Sequence, residues 1–506
     1  MDELSFGSFS LLALATLLLS SLVRRALAAK ETGAGARLPP GPWNLPVVGS
    51  LHHLVGAPPH RALLRLSRRH GPVMLLRLGE VATVIVSSPE AATEVMKTRD
   101  PAFASRPRGA ALDVVGCGGR GLILAPYGEH WRQMRKVCVV ELLSARRVRG
   151  MERIRQAEVA RLVESVAAAA AAVVDLGRGL TALTNDIIAR AVFGGQCRRQ
   201  QEYLRELGAV ATLAGGFSLP DLFPSSRLVQ WLSGAMRDLR TSHARLQRII
   251  GGIIHERQEK RRASAVAAGA ALEDEDLLDV LLRLQEEDSL AFPLTPEIIG
   301  AVIFDIFGAA TDTTATTLEW AMAELIRNPQ VMSKATLQIR QKLGQGRSMI
   351  SSADLEDLSY LRMVIKETLR LHPAAPIILR ASQESCKVMG YDIPKDSSVF
   401  INTYAVARDP RYWDRAEEFK PERFENSSLD YKWAHSDEFI PFGAGRRQCP
   451  GALFATTTIE ITLANLLYHF DWALPDGANS LDMGEVFGIT VRRASNLCVQ
   501  AALHSP

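Results

Sequence analysis

The sequence predicts a mainly helical fold with a small β portion (α+β), built as one large helical domain behind an N-terminal membrane anchor. Three observations carry this. Most long stretches beyond Pro89 read as helix, the clearest running from Pro296 to Asn328. Only two short early runs, Val73–Leu78 and Thr83–Val86, are β-rich, and Ser87-Ser88-Pro89 closes the second. The stretch from Ser5 to Val23 carries no charge and is just long enough to cross a bilayer as a helix, which takes about 20 residues.

Taken in order, the anchor is preceded by Asp2 and Glu3 and followed by Arg24, Arg25 and Lys30. The positive-inside rule then leaves the N-terminus lumenal and the bulk of the chain cytosolic. A cleaved signal peptide is the alternative, but it would carry its basic residues ahead of the apolar run. With a cytosolic domain, the formal acceptor Asn426-Ser427-Ser428 stays unglycosylated. Next comes Leu38-Pro39-Pro40-Gly41-Pro42-Trp43-Asn44-Leu45-Pro46, whose prolines enforce a stiff, extended hinge. The alanine-rich piece Val166–Val174 reads as helix, and the polar stretch Arg257–Asp276 as an exposed connection. There is no internal repeat. The expected boundaries are 1–28 for the anchor, 29–50 for the hinge and 51–506 for the globular domain.

The 506 residues are 47% hydrophobic, ordinary for a large core, and the net charge of +4 is too small to argue for a nucleic-acid partner. The six cysteines, Cys117, Cys138, Cys197, Cys386, Cys449 and Cys498, show no close repeated spacing. That pattern favours a reducing compartment over a disulfide framework.

Cys449 stands out through its surroundings, Phe442-Gly443-Ala444-Gly445-Arg446-Arg447-Gln448-Cys449-Pro450-Gly451, followed by a helical pattern from Ala452 to Phe470. Two turn-permitting glycines and two arginines precede the thiol. A helix mouth and neighbouring guanidinium groups both favour thiolate over thiol. A lone thiolate suits a single metal bond, and haem iron takes one. A lone buried cysteine without that context is more often an inert small hydrophobe.

Phe442-x-x-Gly445-x-Arg447-x-Cys449-x-Gly451 resembles the haem-binding loop of the cytochrome P450 family, and the resemblance extends from about Leu38 to the C-terminus. It implies the cytochrome P450 fold, with haem b (iron protoporphyrin IX) ligated by the Cys449 thiolate and Phe442, Arg447 and Gly451 in the cofactor loop. Arg447 would pair with a haem propionate. Further segments fit the family order. Ala309-Ala310-Thr311-Asp312-Thr313-Thr314, in the middle of the long helix, resembles the oxygen-activation motif, and Thr hydroxyls there can bond carbonyls one turn earlier. The resemblance implies that Thr313 donates a hydrogen bond to the oxygen being activated and that Asp312 relays protons. The family's glycine is Ala310 here. Glu367-Thr368-Leu369-Arg370 and Pro421-Glu422-Arg423-Phe424 resemble the pair of motifs whose Glu367, Arg370 and Arg423 form a buried structural triad. Trp131-Arg132-Gln133-Met134-Arg135 and Arg380 resemble propionate partners, implicating Trp131, Arg135 and Arg380. Any one of these arginines, read alone, is a solvated surface residue.

The function implied is a monooxygenase that inserts one atom of O2 into an apolar small molecule, by hydroxylation or epoxidation. No G-x-G-x-x-G fingerprint in a βαβ setting is present, so electrons must come from a separate protein. By resemblance this is an NADPH-cytochrome P450 reductase, with cytochrome b5 as a further partner, in the endoplasmic reticulum membrane and its lipid. Lys136, Arg146, Arg147 and Arg149 form a basic cluster that is either a docking patch for the acidic donor or a solvated face. Position relative to the motifs places Phe304, Ala309, Ile377, Ile378, Val486 and Phe487 at the substrate pocket, within Val302–Ala309, Ala374–Ile378 and Glu485–Ile489. Arg108–Leu122 and Ala209–Phe217 are further candidates. Leu219-Pro220-Asp221-Leu222-Phe223-Pro224 reads as a membrane-touching loop or an ordinary packed one. The chain most resembles plant microsomal members of the 71-type group, which oxidise specialised metabolites, and the mostly aliphatic lining favours a terpenoid. Two rivals are a haem-thiolate enzyme that rearranges peroxides, which would lack the Asp312-Thr313 pair, and a non-catalytic haem or lipid binding protein.

Overall fold

The computed structural model describes residues 36–504 apart from 170–171, 196–198, 215–217, 266–274, 289, 291, 431–435 and 476–479. The anchor reading therefore lies outside the described residues, as do Cys197 and Phe217. The principal helices are α1 (Pro59–His70), α2 (Glu129–Lys136), α3 (Glu152–Ala168), α4 (Leu176–Phe193), α5 (Gln200–Ala214), α6 (Gly234–Ala265), α7 (Pro296–Arg327), α8 (Pro329–Leu343), α9 (Ser359–Leu371) and α10 (Ala452–His469). The principal strands are β1 (Val73–Leu78), β2 (Val81–Val86), β3 (Val173–Asp175), β4 (Ile377–Ala381), β5 (Ser398–Asn402), β6 (Phe470–Ala473) and β7 (Cys498–Leu503).

The chain forms two compact units. The first comprises Met1–Ala110, Phe217–Ser233 and Ile377–Val406. Its sheet has the order β1-β2-β5-β4, with β2 and β5 parallel and the other neighbours antiparallel. Alternating residues of β1 (Met74, Leu76 and Leu78) bury one face against Leu63 and Leu66 of α1 and against Leu222. Residues 218–233 are fastened to the β1–β2 turn. The Glu80 amide donates to Leu222 O at 2.8 Å, and the Ser225 hydroxyl donates to Glu80 Oε1 at 2.6 Å.

The second unit comprises Ala111–Gly216, Gly234–Pro376 and Ala407–Pro506, and α7 is its core helix. Thr295 caps α7 by accepting from the Ile298 amide, Pro296 pre-sets the first turn, and the helix ends before Asn328-Pro329. Among the described residues α7 is long and apolar enough to cross a membrane, but most of its side chains are buried among other helices of its unit. A three-stranded antiparallel sheet of order β3-β7-β6 completes this unit.

Two readings of the sequence need correction. The alanine-rich Val166–Val174 is helical only to Ala168, and from Val173 it enters β3. There β-branched Val173 and Val174 gain a ladder with Gln500 and Val499 that the alanine run cannot supply. Arg257–Asp276 is not an exposed connection from its start, since α6 runs through to Ala265. Arg257 holds the helix there by donating to both Asp276 and Asp279, at 2.6 and 2.8 Å.

Candidate functional site

The cysteine loop follows from its glycines. Gly443 and Gly445 have φ of 69° and 68°, left-handed values that side chains with a Cβ rarely adopt. With both turns permitted, the Gly443 amide donates to Ile440 O, Gln448 to Gly445 O, and Cys449 to Phe442 O, at 2.9–3.0 Å. These bonds fold the run back on itself and present Cys449 just ahead of α10.

Cys449 keeps accessible surface although protein atoms crowd around it, the mark of a concave wall. Burial raises its pKa, and the Gly451 amide and the charge of Arg135 offset this only in part. Of the contributions the sequence suggested, a neighbouring guanidinium does favour the thiolate, through Arg135, but burial outweighs it in the protein alone. The helix begins only at Ala452, and the Arg447 guanidinium turns away to backbone carbonyls instead of to the sulfur. Desolvation wins.

Arg447 is buried and donates to Leu122 O at 3.1 Å and to Ala125 O, and its guanidinium lies over the Trp131 ring at 4.3 Å. Trp131 Nε1 donates to the same Leu122 carbonyl at 3.1 Å. Arg135, one turn further along α2, is largely desolvated, which lowers its pKa, while the Cys449 charge acts in the opposite direction. Among the described residues no carboxylate forms an ion pair with Arg135. The structure therefore brings together Cys449, Gly451, Arg447, Trp131 and Arg135 in the second unit. Arg380 lies in β4 of the first unit, buried and paired across the sheet with Val399. An accessible thiol backed by an amide, with a cation lacking a protein anion close by, fits a ligand with one axial thiolate position and acidic groups on its rim.

Along α7, Ala309 is exposed although Phe307 and Thr311 on either side are buried. The core helix is thus uncovered at this turn. The helix is unbroken through Ala310, and Thr313 Oγ1 donates to Ala309 O at 2.6 Å. Asp312 is half-buried beside it. Phe304 is buried edge-on to His243, with ring centroids 5.7 Å apart. Val486 is 52% exposed in the short hairpin of 485–486 and 492–493, and Phe487 is half-buried next to it. Ile377 packs on the apolar core of the first unit, and Ile378 follows it in β4. The pocket candidates are thus spread over both units.

Glu367, Arg370 and Arg423 form one charged cluster. Glu367 accepts from Arg370 Nε and Nη2 at 2.7 and 2.9 Å and from Arg423 Nε at 2.8 Å. Arg370 Nη1 also donates to Ala407 O and Ala416 O, both at 2.8 Å, so the cluster fastens the chain that leads toward the cysteine loop. Within the basic cluster, Lys136, Arg146 and Arg149 are exposed, but Arg147 bonds Glu275 and leaves the patch.

Sequence reasoning placed Asp305 and Gly121 only within the pocket ranges Val302–Ala309 and Arg108–Leu122 and singled out neither. Asp305 is a buried carboxylate on α7 that accepts from the amides of Leu122 and Ile123. The available signal was an acid inside the apolar run Ile303-Phe304-Asp305-Ile306-Phe307.

The family model for cytochrome P450 matches residues 39–496. The chain belongs to the cytochrome P450 family. It is 47% identical over 98% of its length to the desmethyl-deoxy-podophyllotoxin synthase of Sinopodophyllum hexandrum, of which 97% is covered. It is 46% identical to the dolabradiene monooxygenase of Zea mays, with 96% of each chain covered. In fold it is similar to a zebra fish cytochrome P450 solved with abiraterone, at a TM-score of 0.75 and 24% identity over 89% of this chain and all of that one. As a plant-type cytochrome P450, the protein is a haem-thiolate monooxygenase that inserts one atom of O2 into an apolar small molecule. Its haem is ligated by a cysteine thiolate, and a reductase supplies its electrons.

Proposed function

We propose that Cys449 is the axial ligand of this monooxygenase, that Trp131, Arg135, Arg447 and Arg380 serve the haem rim, and that Phe442 and Gly451 shape the loop. The observation that carries the reading is the accessible but enclosed Cys449 thiol, with the Gly451 amide donating to it and the Arg135 charge acting on it. When bound, thiolate-ligated haem supplies the electron push that favours O–O cleavage. The chain's own part is positioning. The glycine-turned loop aims the sulfur, Thr313 holds a hydroxyl proton at Oγ1 on the open stretch of α7, and Asp312 beside it is the proton relay. Glu367, Arg370 and Arg423 keep the approach to the loop rigid.

The substrate in this reading is a plant specialised metabolite with an apolar skeleton, a terpenoid by preference. Phe304, Ala309, Ile377, Ile378, Val486 and Phe487 offer no charge and almost no hydrogen-bonding capacity. The names of the relatives, a dolabradiene monooxygenase among them, support the same class.

The redox partners are NADPH-cytochrome P450 reductase and cytochrome b5, and the setting is the endoplasmic reticulum membrane. A single anchor within 1–28, a hinge over 29–50 and a cytosolic catalytic domain over 51–506 complete the reading. Support for membrane contact comes from the first unit, where Leu219, Leu228, Leu232 and Trp231, the last 75% exposed, carry apolar surface into solvent.

Co-expression with a reductase in microsomes, followed by mass-spectrometric screening of apolar metabolites, tests the function. NADPH- and O2-dependent products heavier by one oxygen atom are expected. Cys449→Ala is expected to abolish the carbon-monoxide Soret band of thiolate-ligated ferrous haem, and a retained band refutes the ligand assignment.

A further inference from the structure

We propose that Asp305 is a positioning residue of the haem site, acting on Arg447 and Trp131 through the single peptide unit that joins Leu122 to Ile123. Asp305 Oδ2 accepts from the amides of Leu122 at 2.5 Å and Ile123 at 3.0 Å, across 183 and 182 residues of sequence. The peptide whose N–H belongs to Ile123 carries the Leu122 carbonyl at its other end. That carbonyl accepts from Trp131 Nε1 and from Arg447 Nη1, both at 3.1 Å. A carboxylate thus grips the N–H end of one peptide while a guanidinium grips the C=O end. Each charge polarises the peptide in the sense that strengthens the bond at the opposite end. Asp305 is in effect counter-charge to Arg447, relayed through a peptide dipole.

Gly121 is the second half of the device. A Cβ there would lie 2.2 Å from Asp305 Oδ2 and 3.0 Å from its Cγ, so only glycine lets the loop close on the carboxylate. The buried setting also matters. Asp305 is 7% and Arg447 is 7% exposed, so little water screens the relay. Asp305 further shares a helix face with Ala309 and Thr313, one and two turns on. One loop therefore ties the open face of α7 to the stacked Arg447–Trp131 pair beside the cysteine loop.

This inference rests on the reading of Arg447 as a haem-rim residue. The bland alternative is a buried carboxylate that only fastens a loop. The experiment uses holoenzyme and measures two things, the rate of haem transfer to excess apomyoglobin and hydrogen exchange over residues 121–125. Asp305→Asn is expected to speed haem loss about tenfold, the size expected for losing one charged hydrogen bond. Arg447→Ala is expected to speed it at least as much, and the double variant to be no faster than Arg447→Ala alone. Gly121→Ala, which changes no charge, is expected to reproduce Asp305→Asn and decides the matter if the latter does not fold. Arg447→Ala is also expected to raise exchange at the Leu122 and Ile123 amides, neither of which bonds it directly. Unchanged haem loss in the Asp305 and Gly121 variants, multiplying effects in the double variant, or unchanged exchange in Arg447→Ala overturns the relay. If Arg447→Ala leaves haem loss unchanged, it is the rim reading of Arg447 that falls.

Discussion

The Glu367 carboxylate closes on the Arg370 guanidinium through two parallel bonds, Oε2 to Nε at 2.7 Å and Oε1 to Nη2 at 2.9 Å, with both side chains fully buried. Arg423 shares Oε1 at 2.8 Å. One anion therefore serves two cations in a dry setting, and its removal strands both. Glu367→Gln is expected to destabilise the fold by about 3–5 kcal/mol. A lower urea midpoint, with reduced haem content per protein, is the readout. An unchanged midpoint would mean that Arg370 is carried by its carbonyl bonds to Ala407, Ala416 and Glu418 and its stacking on Trp413.

Thr313 commits its hydroxyl proton to Ala309 O at 2.6 Å. Thr313→Ala is expected to leave haem binding intact, because the hydroxyl bonds a carbonyl of its own helix and carries no charge. Product formed per NADPH is expected to fall about tenfold or more, with peroxide appearing in its place. Thr313→Ser, which keeps the hydroxyl, should restore most of the coupling. Equal coupling in all three proteins would remove Thr313 from the chemistry.

His372 stacks on Trp320 with centroids 4.0 Å apart, and its Nε2 donates to Glu324 Oε1 at 2.7 Å. Burial lowers its pKa below the ordinary 6.5, with Glu324 opposing and Arg408 assisting. The unfolded chain therefore takes up this proton at a higher pH than the folded one. Above 6.5 both forms are neutral and the residue adds no pH dependence. As pH falls below 6.5, toward the lower folded value, stability is lost. Melting temperatures taken between roughly pH 7.5 and 5.5 should fall less steeply for His372→Gln than for the natural protein. Parallel curves would assign the acid sensitivity elsewhere.

Lys136, Arg146 and Arg149 remain exposed once Arg147 is tied to Glu275. Charges on an open surface are screened beyond about 8 Å at physiological salt. If they steer an acidic reductase, flavin-to-haem electron transfer should slow as ionic strength rises, and Lys136→Glu with Arg149→Glu should slow it at low salt by roughly tenfold. Reduction rates indifferent to both changes would leave the patch as a solvated face.

Much of the site was legible because its chemistry is local. Gly443 and Gly445 take the left-handed turns that the run Phe442–Cys449 suggests, and β1 occupies Val73–Leu78, where apolar residues crowd into a short run. The spacing of Glu367 and Arg370, three residues apart on α9, already places them on one face. Their burial and the third partner, Arg423, depend on how the chain from Ala407 to Arg423 wraps the helix end, which no local period encodes. The alanine run after Ala168 misled for the same reason. Its strand exists only because β7 offers a ladder from the far end of the chain.

By itself the sequence determined the family and the order of the charged motifs, because these rest on residue identity and short spacing. Only the tertiary structure decided that burial raises the Cys449 thiol, that Arg447 turns to the Leu122 carbonyl, and that Asp305 reaches the same peptide across 183 residues. Desolvation and hydrogen-bond direction are set by what packs around a group, and that is fixed only when distant segments meet.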